Sequence, residues 1–542
     1  MSWAIAVAAS SAVRATARPA TPFGRLLLPG SVAPKPAGRL GETVVSSPSP
    51  PPLAGPVCRL SSWRRTPAGV GDAWDSVRTK VAALLPEGDV PTVCGDANLP
   101  ELPPEETDVV VVGGGVMGWS TAYWLARKGT TLRKRQRVLL VEKDPQYKRA
   151  SSVLAVGGIR QQFSLPENIH MSMYGAFFLR NIKDHLTIPG EDPPEVFFNP
   201  SGYLMLASEK EAAAMEEKHR NLLREKCKVD LLSPTQLKTK FPWINTEGIA
   251  LATYGLENEG WFDPWALLQA LRRKALSMGV YYYSGEVTGF KFSNWMGSSS
   301  NPIIHKVYVM APHSRVYQPV DCSMVVNATG AWMGQVARMA ALGSGAQGLG
   351  AYGRVTHTLP DTRPEFGPLL PQLPIGPRKR YVYVFHCPDG PGLDCPLVVD
   401  PSGAYFRREG ITGNYIGGMS PPPDEEPSVD NLDVDYDYFQ EKVWPLLAHR
   451  VPAFQSLKVR SAWAGYYEHN EFDSNGVIGF LPEVPNLLHV GGFSGHGLQH
   501  AAAAGRAAAE ILADGELTTL DLRRLAPMRI LDGEPLLEDY IV

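Results

Sequence analysis

The chain has 542 residues, of which 44% are hydrophobic and 20% are charged, and its formal net charge is −3. This length suggests two or three domains with a large core. No apolar run approaches the ~18–20 residues that a membrane-spanning helix needs, so the sequence argues against a transmembrane span.

Residues 1–66 differ in composition from the rest. They contain eight Lys or Arg and one acid, Glu42, and are rich in Ala, Ser and Pro. They therefore carry a charge of +7, which leaves −10 on the remainder. An acidic body argues against nucleic acid as the main partner. The first segment is typical of a mitochondrial transit peptide, with a disordered basic tail as the alternative. A mitochondrial protein is expected, in the matrix or at the matrix face of the inner membrane.

The cysteines are scattered along the chain. They are Cys58, Cys94, Cys227, Cys322, Cys387 and Cys395. None forms a C-x-x-C pair and no histidine lies at a zinc-like spacing. We interpret them as reduced, mostly structural thiols and expect no metal site.

Residues 67–106 contain a short amphipathic helix candidate, Asp75 to Leu85, followed by a Pro- and acid-rich linker. A four-valine run, Val109 to Val112, then predicts a buried parallel strand. The run leads into Gly113, Gly115 and Gly118, which are spaced G-x-G-x-x-G.

An apolar stretch follows from Trp119 to Lys128 and predicts a helix. A second strand, Arg137 to Val141, ends in Glu142. This order is the βαβ fingerprint of a dinucleotide site. The glycines allow a tight turn, close approach of a pyrophosphate, and close packing of helix on strand. The acid can accept hydrogen bonds from a ribose hydroxyl. An ordinary Gly-rich turn is the alternative, but it leaves Glu142 unexplained.

Further along, sequence patterns predict alternating helices and strands. Helices are expected over residues 166–190, residues 209–227 and Pro264–Met278, the last with Asp263 as its N-cap. Strands are expected at Val280–Tyr283, Lys306–Met310 and Met324–Asn327.

Residues 340–377 are rich in Gly and Pro and predict a flexible insertion. Beyond it, the expected elements are a strand at Arg380–Phe385, a hairpin over 405–418, a helix at Asp437–Leu447, and a strand at Val459–Ala464. Finally, a strand at Leu487–Val490 leads through the loop Gly491–Gly497 into a helix at Leu498–Leu512. The strand, Gly-rich loop and helix pattern thus occurs twice, which suits a ligand too long for one βαβ unit.

Several segments, in this order, resemble the D-amino-acid oxidase, sarcosine oxidase and dimethylglycine dehydrogenase family of FAD enzymes. They are DVVVVGGGVMGWSTAYWLA, Glu142, SSVLAVGGIR, VVNATGAW, YFRREG and GGFSGHGLQ. The resemblance covers about residues 107–515 and implies an α/β fold. Its parts would be a Rossmann-like FAD-binding domain of the glutathione-reductase type, an antiparallel-sheet cap that binds substrate, and a disordered N-terminal targeting segment.

The implied domain boundaries interleave along the chain. They are 1–66 transit segment, 67–106 linker, 107–185, 246–335 and 456–515 FAD-binding domain, 186–245 and 378–455 cap domain, 340–377 insertion, and 516–542 C-terminal tail.

The resemblance also implies the roles of individual residues. The cofactor is expected to be non-covalent FAD, held by Gly113, Gly115, Gly118, Glu142, Ser151, Ser152, Gly330, Gly495 and Gly497. The candidate catalytic residues are Arg160, Tyr466, Tyr467 and His496. Arg160 could stabilise reduced flavin or bind a substrate carboxylate, or it could lie outside the site. The two tyrosines could equally be ordinary core residues, and His496 could simply shape its loop.

The sequence departs from sarcosine-oxidase-like relatives at three positions. Phe163 replaces a basic residue that follows Arg160, and Gln499 replaces a lysine that anchors substrate carboxylate. Tyr415 lies near the loosely aligned position of a lysine used for oxygen activation. These changes put a small amino-acid substrate and oxidase turnover in doubt. The sequence also lacks a His between Glu142 and Ser152 and a Cys in SAWAGYYEHNEF, which argues against covalent flavin.

Four longer segments most resemble a mitochondrial member of this family that is associated with assembly of respiratory complex I. They are SVLAVGGIRQQFSLPENI, RKRYVYVFHCP, SAWAGYYEHNEFDSNGVIG and GGFSGHGLQ. This resemblance implies complex I assembly intermediates as partners. The alternative is an active FAD-dependent dehydrogenase that oxidises a C–N bond of an amine or N-methyl amino acid. A nicotinamide-dependent enzyme is disfavoured by the terminal GFSGHG loop.

Overall fold

A computed structural model of the protein describes residues 102–131, 136–293, 302–312, 316–345 and 373–538. The expected transit segment 1–66 and the helix candidate Asp75–Leu85 lie outside the described residues, as do residues 346–372.

The described strands are, in chain order, β1 Val109–Val112, β2 Val138–Glu142, β3 Gly158–Ile159, β4 Tyr203–Ala207, β5 Val229–Leu232, β6 Leu251–Gly255, β7 Gly260–Trp261, β8 Tyr281–Ser284, β9 Glu286–Ser293, β10 Ile303–Met310, β11 Tyr317–Asp321, β12 Met324–Asn327, β13 Ile375–His386, β14 Leu397–Val399, β15 Tyr405–Glu409, β16 Asn414–Gly418, β17 Lys458–Asn470, β18 Val477–Phe480 and β19 Leu487–Gly491. The described α-helices are α1 Val116–Thr131, α2 Ser151–Leu154, α3 Pro166–Arg180, α4 Ile182–Leu186, α5 Ala212–Arg224, α6 Pro234–Lys240, α7 Pro264–Ser277, α8 Met333–Gly345, α9 Tyr436–Tyr438, α10 Trp444–Arg450, α11 Gly497–Ala513 and α12 Met528–Leu531. A π-helical turn, Phe439–Val443, joins α9 to α10.

A six-stranded, mostly parallel sheet forms the centre of one part of the fold. Its strand order is β18-β19-β12-β1-β2-β8, and only β18 runs antiparallel to its neighbour. All four valines of β1 are buried because helices or other strands cover both faces of the sheet. The carboxyl ends of β1, β12 and β19 therefore lie side by side. Ligands of open parallel sheets bind at this edge.

A second, eight-stranded sheet has the order β17-β13-β16-β15-β14-β4-β6-β5. It is antiparallel except for the β4–β14 pair. Its longest ladder joins β13 to β17, and it has its own hydrophobic core around Tyr383, Phe385 and Phe454. A smaller antiparallel sheet, β9-β10-β11, packs on the parallel one. This α/β architecture confirms the expected fold class.

Several sequence predictions match the elements closely. The helix predicted from Asp263 is α7, and the Asp263 side chain accepts a hydrogen bond from the Ala266 N–H at 3.0 Å. The predicted final helix is α11, and the hairpin over 405–418 is β15–β16.

Other elements differ from the prediction. The single helix expected over 166–190 is divided at Asn181 into α3 and α4. Regular structure also enters both ends of the expected insertion, since α8 runs to Gly345 and β13 begins at Ile375. Strands β4, β6 and β14 were not predicted, because their short apolar runs carry no distinctive period. Among the described residues, no helix is both long and apolar enough to cross a membrane.

Candidate functional site

A cavity of about 480 Å³ lies between the carboxyl edge of the parallel sheet and the β13–β17 ladder. All but one of the predicted site residues line it. Those that do are Gly113, Gly115, Glu142, Ser151, Ser152, Arg160, Gly330, Tyr466, Tyr467, Gly495, His496 and Gly497. Residues from both sheets thus converge on one cavity although they lie hundreds of positions apart in sequence.

Glu142 forms the polar end of this cavity at the tip of β2. Its Oε2 accepts a hydrogen bond from the Gly114 N–H at 2.6 Å, and its Oε1 accepts one from the Asp144 N–H at 2.7 Å. Burial raises the pKa of the Glu142 carboxyl, and the two N–H donors act in the opposite direction. The two bonds fix the carboxylate in place at the edge of the cavity, where a sugar hydroxyl could donate to it.

The three glycines of the fingerprint have different surroundings. Gly113 has a φ of +99°, and a Cβ there would lie 2.6 Å from the Ala328 carbonyl oxygen. A Cβ at Gly115 would meet only the Ser152 hydroxyl, at 3.3 Å, and Gly115 lines the cavity. This arrangement leaves the Gly115 backbone open to a phosphate.

Gly118 is the predicted site residue that does not line the cavity. A Cβ on it would lie 1.9 Å from the Gly113 carbonyl oxygen. Its place in the fingerprint is therefore explained by the packing of α1 against the turn after β1, which is the role of the third glycine in such motifs.

Ser151 and Ser152 begin the short helix α2 and both line the cavity. The Ser152 hydroxyl accepts a hydrogen bond from the Val116 N–H at 3.0 Å. This bond ties α2 to the first turn of α1, so that the two helix starts face the same space.

The opposite end of the cavity is formed by the loop after β19 and the start of α11. Gly495 has a φ of +91°, and a Cβ there would meet the Tyr467 ring at 2.7 Å. Gly330, in the turn after β12, likewise has a positive φ, of +55°. The first N–H groups of α11 have no partners within the helix, so this end favours negative charge.

Arg160 lies beside His496 at this end and is buried. Its Nη2 is 3.0 Å from Nε2 of His496. Burial, with the charge of Arg160 and the neighbouring His500, holds the pKa of His496 well below its usual range. Because arginine only donates, the neutral imidazole accepts through Nε2. This contact occupies the ring nitrogen that a general base would use.

Phe163 and Gln499 occupy the positions at which the resemblance places cationic anchors. The centre of the Phe163 ring lies 4.7 Å from the Arg160 guanidinium carbon. The Gln499 Oε1 accepts hydrogen bonds from the Arg160 N–H at 2.8 Å and from the Ser172 hydroxyl at 3.3 Å. Both side chains are thus engaged within the protein. Tyr415 packs on Phe385 in the core of the second sheet and does not line the cavity.

Tyr466 and Tyr467 line the cavity from β17. The Tyr466 hydroxyl accepts from Nη2 of Arg149 at 2.8 Å and donates to the Val429 carbonyl at 2.8 Å. The Tyr467 hydroxyl donates to the Ser494 carbonyl, and burial raises its pKa. Both hydroxyls therefore have partners in the protein, which fits an orienting role better than proton transfer.

Sequence reasoning missed several residues that line the cavity. They are Arg149, Tyr203, Trp332, Arg380, Leu397, Tyr405, Met419 and Glu468. Arg149 lies two residues before Ser151 of the recognised serine motif, and Glu468 is an acid that directly follows two tyrosines in a strand. Those two carried a usable signal, whereas the residues of β4, β14 and β15 carried none.

A fixed carboxylate, a glycine turn open to phosphate, and a second helix start at the far end together define an extended site for a dinucleotide. The fold and site are those of an FAD-dependent oxidoreductase. One half of the site faces the nucleotide and the other half faces the flavin. The chain belongs to the FAD dependent oxidoreductase (DAO) family, whose model matches residues 108–366 and 359–511. It binds FAD, as the sequence predicted.

Individual relatives are similar over most of the chain. This chain is 56% identical to FAD-dependent oxidoreductase domain-containing protein 1 of Xenopus laevis, over 82% of this chain and 86% of the relative. The protein of the same name from Bos taurus is 53% identical, over 86% of this chain and 94% of the relative. Among solved structures, L-proline dehydrogenase from P. horikoshii is similar with a TM-score of 0.63 and 24% identity, over 80% of this chain and 100% of that one. This structural likeness concerns the fold.

Proposed function

We propose that this protein is a mitochondrial flavoprotein that holds FAD non-covalently and acts in the assembly of respiratory complex I. The observation that carries the proposal is a contrast within the cavity. The Gly115 backbone, where a phosphate would lie, is open to the cavity. At the other end, Phe163 packs on Arg160, and Gln499, which lines the cavity, accepts a hydrogen bond from the Arg160 N–H, so neither position offers a positive charge to a carboxylate.

Gly113, Gly115 and Glu142 would hold the ADP part, with Ser151 and Ser152 beside the pyrophosphate. When bound, FAD supplies the capacity to accept a hydride. The first turn of α11 would favour negative charge on the flavin ring, which raises its electron affinity. Gly330, Gly495 and Gly497 line the end of the cavity where the ring would lie.

Two observations support non-covalent attachment. None of the described cysteines lines the cavity. The one histidine among the described lining residues, His496, is in contact with Arg160 through Nε2. We expect the flavin to leave the protein on denaturation.

The assembly role rests on the resemblance to a mitochondrial family member associated with complex I assembly, and the basic segment 1–66 supports the location. Missing anchors argue against efficient turnover of a small amino acid, because a bidentate arginine contact has no substitute in phenylalanine.

A pull-down of the tagged full chain from mitochondria tests the assembly role. Subunits of a complex I intermediate should co-purify, and Gly115→Val, which is expected to lose FAD, shows whether the cofactor is needed. Recovery of the chain without any complex I subunit would contradict the proposal.

A second candidate function is an FAD-dependent dehydrogenase that oxidises a C–N bond of an amine or N-methyl amino acid. The observation that favours it is the extension of the cavity to Tyr203, Leu397, Tyr405 and Met419 on the second sheet, beside the buried Arg160. Arg160 would orient the substrate.

Anaerobic mixing of the full chain with a panel of amines and amino acids distinguishes the two candidates. Dehydrogenase activity predicts loss of the yellow flavin colour with at least one compound, and slower loss in Arg160→Met. An unchanged spectrum with every compound would argue for the binding role.

A further inference from the structure

A buried carboxyl group, Glu468, lies at the flavin end of the cavity. It follows Tyr467 on β17 and lines the cavity. A Cβ placed on Gly497, the first residue of α11, would lie 2.8 Å from Oε1 of Glu468. Oε2 lies 3.4 Å from the Cβ positions of both Gly330 and Gly491. Gly497 thus makes room for this carboxyl, and Gly330 and Gly491 lie within ordinary contact distance of it, where β12, β19 and α11 meet.

Glu468 is only 9% exposed, and its Oε1 accepts a hydrogen bond from the Phe493 N–H at 3.3 Å. No ion pair among the described residues includes it. Burial raises the pKa of the Glu468 carboxyl to about 7, although hydrogen bonds from the Gly492 and Phe493 N–H groups lower it. The group therefore changes its charge close to neutral pH.

The titratable neighbours of Glu468 do not neutralise it. On its own strand, burial raises the pKa of Tyr467, which keeps the phenol neutral. From the loop before α11, His496 is neutral. On β13, opposite β17, Arg378 and Arg380 are paired with Glu426.

A negative charge on Glu468 would offset the positive N-terminal end of α11. A reduced flavin also carries its extra charge where such a helix terminus can stabilise it. Two negative charges close together in a low-dielectric site are unfavourable, so the second can form only when the first is neutralised by a proton.

We propose that Glu468 is a positioning residue that takes up a proton when the bound flavin is reduced, so that reduction of this protein is coupled to protonation at Glu468. The reductant, dithionite in the test below, supplies two electrons, and one proton from solvent joins them on the flavin. A second proton passes from solvent to a Glu468 carboxylate oxygen, where an O–H bond forms. Below neutral pH Glu468 already holds its proton, so reduction takes up one proton in all.

The test is a redox titration of the FAD-loaded full chain with dithionite, from about pH 5 to about pH 9. In the wild type, the pH slope of the midpoint potential should double near neutral pH, from one proton to two protons per two electrons. Glu468→Gln should keep the one-proton slope throughout. Glu468→Asp should keep the change in slope but move it to another pH.

A matched control is Glu259→Gln. Glu259 is also buried, and burial raises its pKa to about 7 as well, but it does not line the cavity. This variant should retain the wild-type change in slope.

The inference is overturned by a wild-type slope with no change, or by a change in slope that persists in Glu468→Gln. If Glu468→Gln fails to fold or to bind FAD, Glu468→Asp decides the matter. A change in slope at the same pH as in the wild type would then overturn the inference. A wild-type protein that binds no FAD would instead contradict the cofactor site itself.

Discussion

The two ends of the cavity are built differently. At the nucleotide end, Glu142 and the fingerprint glycines come from one stretch of about one βαβ unit, and their spacing in sequence fixes their geometry. At the other end, Arg160 meets His496 and Gln499 across 336 and 339 positions of sequence. Local sequence therefore specifies the first end, and only the assembled fold specifies the second.

This difference bears on function. At the nucleotide end the Gly115 backbone is open to the cavity, whereas at the far end Arg160 is bound to His496 and Gln499. Such a site keeps the requirements for holding a cofactor and loses part of those for holding a small carboxylate substrate. Changes at the two ends should therefore have different consequences.

The largest effect is expected for Gly118→Ala. Its Cβ would lie 1.9 Å from a backbone oxygen, so α1 and the turn after β1 must separate. We expect a loss of at least about 3 kcal/mol in unfolding free energy, measured by denaturant titration. Gly376→Ala, which has no atom within 4 Å of the added Cβ, is the control and should change little. Equal stability of both variants would show that the fingerprint turn is more loosely packed than described.

Gly115→Val should abolish FAD binding but leave the fold intact. The added methyl groups would occupy the space open to a phosphate, while the Cβ itself meets only the Ser152 hydroxyl. We expect the dissociation constant for FAD, measured by quenching of flavin fluorescence, to rise more than about 100-fold, or about 2.7 kcal/mol. A folded variant that stays yellow would place the phosphates elsewhere.

Glu259→Gln probes the far end through pH. Glu259 accepts hydrogen bonds from the Gln161 N–H at 2.9 Å and from Nε2 of Gln162 at 2.7 Å behind Arg160. Because burial raises its pKa from 4.5 to about 7, the folded state binds more protons than the unfolded state between these values. Stability in the wild type should therefore fall relative to the variant as pH rises through this window. Parallel unfolding curves across the window would show that Glu259 is already ionised.

The smallest effect is expected for Glu142→Gln. The amide keeps one oxygen for an N–H donor but loses the charge that a ribose hydroxyl would meet. We expect FAD affinity to weaken about tenfold, or about 1.4 kcal/mol, and the unfolding midpoint of the FAD-free protein to fall slightly, because one backbone N–H would face the new NH₂ group. Titration calorimetry measures the affinity, and an unaltered dissociation constant would remove Glu142 from the ribose.

The comparison also explains what could be predicted from sequence. The valines of β1, the fingerprint glycines and the Asp263 cap each depend on neighbours a few residues away, and their local structures were predicted correctly. Phe163 and Gln499 were recognised as departures, but their internal contacts with Arg160 could not be foreseen. Tyr203 and Tyr405 reach the cavity only through the pairing of distant strands, and no local pattern marks them.

Glu468 falls between these cases. Its sequence context, an acid after two tyrosines in a strand, marks it as unusual, yet its significance depends on the three glycines that surround its carboxyl group. Buried acids inside predicted strands are therefore worth examining for contacts with distant glycine loops.

The most direct test of the central claim is the visible spectrum of the purified full chain, before and after acid precipitation. The structure predicts a yellow protein whose colour passes entirely into the supernatant, as expected for FAD held by non-covalent contacts. A folded protein that is colourless and takes up no added FAD, or one whose colour stays in the pellet, would contradict this account of the site.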